Sequence, residues 1–361
     1  MGVDVEPASA SSLPSIVTRR PPGTTFCLTA GTYHLNRTIV PREGDSFIGA
    51  GPGRAGTIVD CSAVSSCFDI HSVSDVEVRT LVVRDAQLAN IKLGLSTVVA
   101  GITSIGGGKL GLVASGGLGQ AAAVVLKDSV VYRAATNCGA YGGPGYCAGF
   151  KVNAVPGIVV KNNLFRDNCG GAALWLDINS RDFQVEDNFA IDNDNASGQS
   201  SCGETEGIRV EISCFGTVSG NTVYGNAGAQ IDLFNSNNMS VSDNRVTGQG
   251  SGGFAIRVLS SGRPLTRGGT GEGECASTDG AYHSFNNEIT SNVVQLRGGS
   301  KSGAVAFDGH DSFDNEFRSN TYLGGRCWSE SWVWWDGSSN VATDFLSWQR
   351  EFNQDMSGAC S

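Results

Sequence analysis

One short pattern governs what this chain can fold into: an apolar residue, two further residues, then asparagine. It recurs as Val160…Asn163, Val185…Asn188, Val218…Asn221, Val241…Asn244, Ile289…Asn292 and Phe317…Asn320. Successive asparagines lie 25, 33, 23, 48 and 28 residues apart. Weaker versions begin at Val125 and Val76. After each turn a second short run follows: Ala173–Asp177, Gly207–Ile212, Ala229–Leu233, Phe254–Val258, Ala304–Asp308 and Trp332–Asp336. These runs alternate in polarity and are too short for helices. Units of about 23 to 28 residues, each holding several short strands, predict the coils of a parallel β-helix. Parallel strands stack about 4.8 Å apart, and the corners between them favour Gly and Asn, which accept positive φ. Asparagines stacked at one corner can pass side-chain hydrogen bonds along the column. Propeller blades need roughly 40 to 50 residues, more than the shortest intervals allow. A leucine-rich repeat would show a recurring leucine ladder, which the chain lacks.

At about 25 residues per coil, Asp60 to Asp344 would hold roughly eleven coils, a rod on the order of 50 Å long. The expected architecture is all-β: a single-domain solenoid of roughly eleven or more coils with long inserted loops. Residues 1–20 are read as a flexible N-terminal segment, and 21–361 as one β-helix domain including its C-terminal cap. Phe26–Leu35, Thr38–Pro41, Ser46–Gly53 and Thr57–Asp60 supply the first coils. Gly49–Gly53 is not a phosphate loop, because no Gly-Lys-Ser/Thr ending and no helical pattern follow it. Asp344–Phe352, with Phe345, Leu346, Trp348 and Phe352, predicts a short helix over the last coil. Trp328, Trp332, Trp334 and Trp335 would either extend a sugar-stacking surface or seal the last coil against that helix; sealing is the favoured expectation, with at least one of Trp334 and Trp335 facing outward.

The composition fits such a rod. Of 361 residues, 50 are Gly, and only 17% are charged, against roughly 25% in an average soluble domain. Helices would suffer from so much glycine, at about 1 kcal/mol for each interior position. The net charge of −10 removes the basic footprint of a nucleic-acid binder. Eleven cysteines point to an oxidising compartment, with local pairs Cys61/Cys67, Cys138/Cys147 and Cys202/Cys214 as expected staples. The four histidines lie far apart, which disfavours zinc. His71 and His310 are read as structural or solvated. The opening Met1-Gly2-Val3-Asp4 lacks a basic region followed by an apolar run, so the sequence reads as a mature secreted form. The most apolar region, Val98–Val125, is broken by Gly106, Gly107, Gly108 and Lys109 and does not read as a membrane span. A monomer is expected.

With Ala30-Gly31-Thr32-Tyr33, Ile39, Ile48-Gly49-Ala50-Gly51 and the Val-x-x-Asn units in hand, the chain resembles the right-handed parallel β-helix superfamily of pectate lyases, alginate lyases and mannuronan C5-epimerases. The resemblance covers most of the chain and implies a right-handed coil. It also implies action on a uronic-acid-containing polysaccharide, by β-elimination or C5 inversion. Other relatives are hydrolases or transferases, and some are non-catalytic binders. The Asp-Pro-His-Glu run of the epimerases is absent, as are the Gly-His-Gly and Arg-x-Lys of polygalacturonases.

Alternation locates the candidate site. With Leu174, Leu176, Ile208, Val210, Ile231, Leu233, Ile256 and Val258 facing the core, Trp175, Asp177, Arg209, Glu211, Gln230, Asp232 and Arg257 face outward. Asp177, Arg209, Glu211, Asp232 and Arg257 are the expected catalytic group, and Trp175 and Gln230 the expected sugar contacts. Arginine would neutralise a substrate carboxylate, and a carboxylate would take the C5 proton. Asp177 and Asp232 could instead share Ca²⁺. Two of the acids could also work as a glycosidase pair. A solvated face of mutually paired charges is the plain alternative. Insertions at 136–149, 192–206 and 260–282 would form walls over this face. They nominate Tyr141, Tyr146, Arg263, Arg267, Tyr282 and His283 as further substrate contacts.

Overall fold

The computed structural model describes residues 2–116, 123–143, 146–193, 205–250, 253–261, 263–264, 275–277, 281–306, 312–324 and 327–361, without the side chains of 8, 10, 11, 263 and 264. Within these the repeat becomes three long sheets of 12, 12 and 11 strands. Successive coils contribute one strand to each. The first sheet runs from Gly2–Val5 to Glu316–Arg318, and the second from Gly31–His34 to Ala359–Cys360. The third runs from Phe68–Asp69 to Trp332–Trp335 and ends on the antiparallel strand Asn340–Thr343.

The apolar member of each repeat unit lies on the first sheet. Val160, Val185, Val218, Val241, Ile289 and Phe317 pair in continuous register and are buried. The residue just before each asparagine turns the corner with positive φ: Asn162, Asp187, Gly220, Asp243, Ser291 and Ser319. Gly and Asn are expected at these corners, yet Asp and Ser fill four of the six. Short polar side chains tolerate the left-handed region because they bond locally.

Each asparagine then turns inward and joins a ladder. Asn163, Asn188, Asn221, Asn244, Asn292 and Asn320 pass Nδ2 donors to the next Oδ1 at 2.9–3.0 Å, and Asp355 closes the column. Asn221 also donates to the Val185 and Ser219 carbonyls, while its Oδ1 accepts from the Asn188 backbone and side chain. A second column runs Asn168, Asn193, Asn226 and ends on Gln230. These amides are buried but satisfied, the condition under which burial of a polar group is tolerable.

The main apolar core extends from Val5 to Trp348. Residues 2–20, expected to be flexible, are built into its N-terminal end instead. Gly2–Val5 pairs with Thr25–Leu28, and helix α1 (Leu13–Arg19) buries Leu13 and Val17. An open coil end exposes apolar side chains and unpaired strands, so covering it is favourable. Helix α2 (Phe345–Phe352) closes the other end as expected, capped by Asp344 accepting from the Ser347 backbone. Trp332 and Trp348 are fully buried there, Trp334 packs on Trp348 and Phe352, and Trp335 is largely covered. Trp328, expected to seal this end with the other three, faces solvent instead.

The cysteines follow space more than sequence. Cys61–Cys67 forms as expected, and Cys327–Cys360 ties down the C-terminus. Cys214 bonds Cys275 rather than Cys202, because the chain returning from the long insertion passes the Cys214 corner. Cys202 lies outside the described residues, and Cys169 is also in a disulfide. Cys138 and Cys147 are buried free thiols in one cluster with Ala135 and Cys169 rather than a disulfide, and Cys138 Sγ donates to the Ala135 carbonyl at 3.2 Å. No helix among the described residues is long and apolar enough to cross a membrane.

Candidate functional site

The outer face of the third sheet carries three rows of side chains. The middle row reads Asp69, Lys92, Val113, Lys151, Trp175, Arg209, Asp232, Arg257, one residue per coil. One flanking row contains Ser115, Asn153 and Asp177, then Glu211, Phe234 and Leu259 on later coils. The other reads Ala89, Leu110, Ala148, Ala172, Glu206.

That last row exists because strict alternation breaks at the strand start. Two successive residues turn inward on each coil: Ala173 and Leu174 both join the core, while Ala172 packs outside against Trp175. Gly207 holds the inward position on its coil, where a Cβ would come within 2.6 Å of Asn226 Nδ2 and the Gln230 carbonyl. The residue before it, Glu206, is thereby thrown outward into the cluster. Gln230 takes the same inward position one coil on, so it is not a groove residue. It caps the second amide ladder, Asn226 Nδ2 donating to Oε1 at 2.8 Å and its own Nε2 donating to the Asn226 carbonyl.

Four of the five expected catalytic residues come together: Arg209, Glu211, Asp232 and Arg257. Arg257 grips Asp232 with Nε–Oδ1 at 2.7 Å and Nη2–Oδ2 at 2.9 Å. Arg209 Nη1 donates to Glu206 Oε1 at 3.2 Å, and its Nε lies 3.1 Å from Glu211 Oε2 and 4.0 Å from Asp232 Oδ2. Arg257 Nη2 is 3.7 Å from Glu206 Oε1. Asp177 belongs to a separate pair with Lys151, Nζ–Oδ2 3.0 Å, toward the preceding coils. The link between them is Trp175, whose ring centre lies 3.3 Å from Lys151 Nζ and 5.2 Å from the Arg209 guanidinium. A cation on each side leaves the indole only 5% exposed, so it is not the open sugar platform expected. Its Nε1 is buried with no hydrogen-bond partner among the described residues.

Charge counting explains the electrostatics. Burial opposes ionisation of Asp232, but Arg257 and Arg209 outweigh it and hold this carboxyl below its usual range. Burial likewise opposes the Arg209 cation, which Asp232, Glu211 and Glu206 more than restore. Two guanidiniums thus balance Asp232 and Glu211. Glu206 is the fifth, unbalanced charge. Burial first and Asp232 second push its pKa up to about 7, against the pull of Arg209 and Arg257. Its Oε2 is buried and has no hydrogen-bond partner among the described residues. A carboxyl poised there can give or take a proton near neutrality.

Asp177 and Asp232 sit on different rows, Asp177 paired with Lys151 and Asp232 with Arg257, and no three His, Cys, Asp or Glu side chains cluster for a metal among the described residues. The wall residues divide. Tyr141 donates to the Gln87 carbonyl at 2.7 Å, and Lys109 approaches both it and the exposed Tyr146. They border the same sheet three coils before Arg209, roughly 14 Å away. Tyr282 accepts from Asn179 Nδ2 and packs with Ile212 and the Cys214–Cys275 bridge, and His283 is buried beside it in sequence. The backbone of Arg263 pairs with Tyr282. The Arg263 side chain and the whole of Arg267 lie outside the described residues. Sequence reading missed Glu206 and Lys151. Lys151 carried a usable signal, standing between the core residues Phe150 and Val152; Glu206 carried none that alternation could detect.

Comparison with known proteins bears on the fold. Residues 135–246 match the family model described as a right handed beta helix region. Among solved structures, the chain is similar to the A-module of the mannuronan C-5 epimerase AlgE6 of Azotobacter vinelandii. The TM-score is 0.63 at 13% identity, covering 98% of this chain and 93% of that one. The AlgE4 A-module of the same organism gives 0.56 at 14% identity, covering 85% and 90%. A variant of the PL6 family alginate lyase AlyGC gives 0.52 at 13% identity, covering 93% of this chain and 53% of that one. No curated protein sequence matches the chain.

Proposed function

For a chain with the right-handed parallel β-helix fold, we propose an enzyme that acts on a uronic-acid-containing polysaccharide by removing the proton at C5. The observation that carries this reading is Glu206, a nearly buried carboxyl held at about 7 between two guanidiniums. Lys151, Arg209 and Arg257 retain solvent-facing edges along one row. A uronate carboxylate bound there would be neutralised, which acidifies the adjacent C5–H. Glu206 as carboxylate accepts that proton. In β-elimination the C5–H electrons form the C4–C5 double bond and the C4–O bond breaks. The departing oxygen then takes a proton from the newly protonated Glu206. In epimerisation no bond to oxygen breaks; a solvent proton adds to C5 from the opposite face, and Glu206 releases the proton it took to solvent. The fold likeness to mannuronan epimerase modules and alginate lyase supports the uronate class.

Glycoside hydrolysis would need a second working carboxylate. Asp232 is 0% exposed with both oxygens held by Arg257, so it cannot reach a sugar carbon. The disulfides favour an extracellular or periplasmic setting. The test is incubation with pectic, alginate and glycosaminoglycan polymers in deuterated water. Ultraviolet-absorbing unsaturated ends mark elimination, and deuterium at C5 of uncut polymer marks epimerisation. Reducing ends with neither signal indicate hydrolysis, and binding without turnover indicates a non-catalytic solenoid; either would refute the proposal.

A further inference from the structure

The outer face of the second sheet, around a corner from the cluster, holds a concavity of about 310 Å³ lined by Thr222, Tyr224, Arg245, Thr247, Gln295 and Arg297, with Val293 and Leu323 at its apolar floor. That volume reaches the lower end of small-ligand sites. Two rows of the sheet build it. Thr222, Arg245 and Val293 follow one another on successive coils, as do Tyr224, Thr247 and Gln295. The register therefore sets Arg245 diagonally beside the Tyr224 ring. Both are exposed, as is Phe189, the coil neighbour of Thr222.

The charge here is one-sided. No lining residue is acidic, and neither Arg245 nor Arg297 forms an ion pair among the described residues. Arg297 Nη2 donates to Gln295 Oε1 at 2.9 Å, which aims it along the rim. In a chain of net charge −10, two guanidiniums with no acidic partner among the described residues, in one apolar-floored hollow, form a local anion site. We propose that this hollow is a second saccharide-binding site, for a carboxylate-bearing pyranose. The ring stacks on Tyr224, its carboxylate meets Arg245 and Arg297, and its hydroxyls bond Thr222, Thr247 and Gln295. It is a binding site without chemistry, since its lining holds no carboxyl, imidazole or thiol, and it stands whether or not the third-sheet cluster is catalytic.

The test is a heteronuclear NMR titration of the full chain with a hexuronate tetrasaccharide and with its carboxyl-reduced, neutral counterpart. The expected result is saturable shifts at the Tyr224, Thr247 and Gln295 amides with the acidic sugar. Affinity at these amides should fall about tenfold or more in Arg245→Ala and in Arg297→Ala. Turnover of polymer and shifts at the Trp175 indole should stay unchanged in both variants. Shifts at Trp175 alone would overturn the proposal, as would equal binding of the neutral sugar. Undiminished binding in the two arginine variants, both on the solvent face, would overturn it as well.

Discussion

Arg257 holds both oxygens of Asp232, on the neighbouring coil, at 2.7 and 2.9 Å, and that clamp decides which carboxyl in the cluster is free to act. With Asp232 fixed as an anion and Glu211 beside Arg209, the site's positive charge is spent, and Glu206 is left to titrate. The proposed proton carrier is thus selected by its neighbours' pairing.

This arrangement has a stability signature. The pKa of Glu206 is raised from 4.5 in a free side chain to about 7 in the fold. Between these values the folded state binds more protons than the unfolded state, so stability falls as pH rises, and the cost is complete above about 7. Glu206→Gln removes the buried charge. It should leave the unfolding free energy unchanged below pH 4 and raise it by up to about 3 kcal/mol at pH 8. Denaturant titrations at several pH values check this; a variant less stable than the parent at pH 8 would refute it.

Breaking the clamp should be costly in one direction. Arg257→Ala strands a fully buried Asp232 carboxylate and should cost about 3–5 kcal/mol. The double variant Arg257→Ala, Asp232→Asn should recover part of that loss. Strict additivity in the cycle would show that the two residues are not coupled.

The amide ladder makes a third prediction. Asn221→Ala leaves the Val185 and Ser219 carbonyls and the Asn188 donors without their partner. At about 1–3 kcal/mol per unsatisfied buried group, a loss of 3 kcal/mol or more is expected. The exposed Arg318→Ala on the same sheet should change stability by less than about 0.5 kcal/mol. Similar values for the two variants would mean the ladder is not a structural spine.

The cysteine pattern can be read by mass spectrometry. Alkylation in denaturant without reductant should label Cys27, Cys138 and Cys147 and spare Cys61, Cys67, Cys214, Cys275, Cys327 and Cys360. A peptide joining Cys202 to Cys214 would contradict the Cys214–Cys275 bridge.

The coil architecture was legible because Val-x-x-Asn writes a core position, a left-handed corner and a ladder amide into four residues, and every unit kept its register. The outward positions of Arg209, Asp232 and Arg257 followed from period-two alternation on strands whose core residues are Ile, Val and Leu. Alternation failed where the backbone departs from it. At the start of each third-sheet strand two residues turn inward, which sent Gln230 into the amide ladder and Glu206 into the cluster. Trp175 was placed on the correct face, but the cations covering it come from neighbouring coils, and only the register reveals them. The terminal caps differ for a related reason. Helix α2 carries an aromatic stripe, whereas α1 has no aromatic residue and buries the smaller Leu13, Pro14 and Val17.

The central claim is that Glu206 moves the C5 proton, and its most direct test compares the parent with Glu206→Gln on the uronate polymer it turns over, across pH 5 to 9. The parent rate should rise as pH increases through about 7, as the Glu206 carboxylate forms, and then level off. Glu206→Gln, folded and still able to bind the polymer, should lose about two to four orders of magnitude in turnover. A variant that keeps the parent's rate and its pH profile would contradict the account.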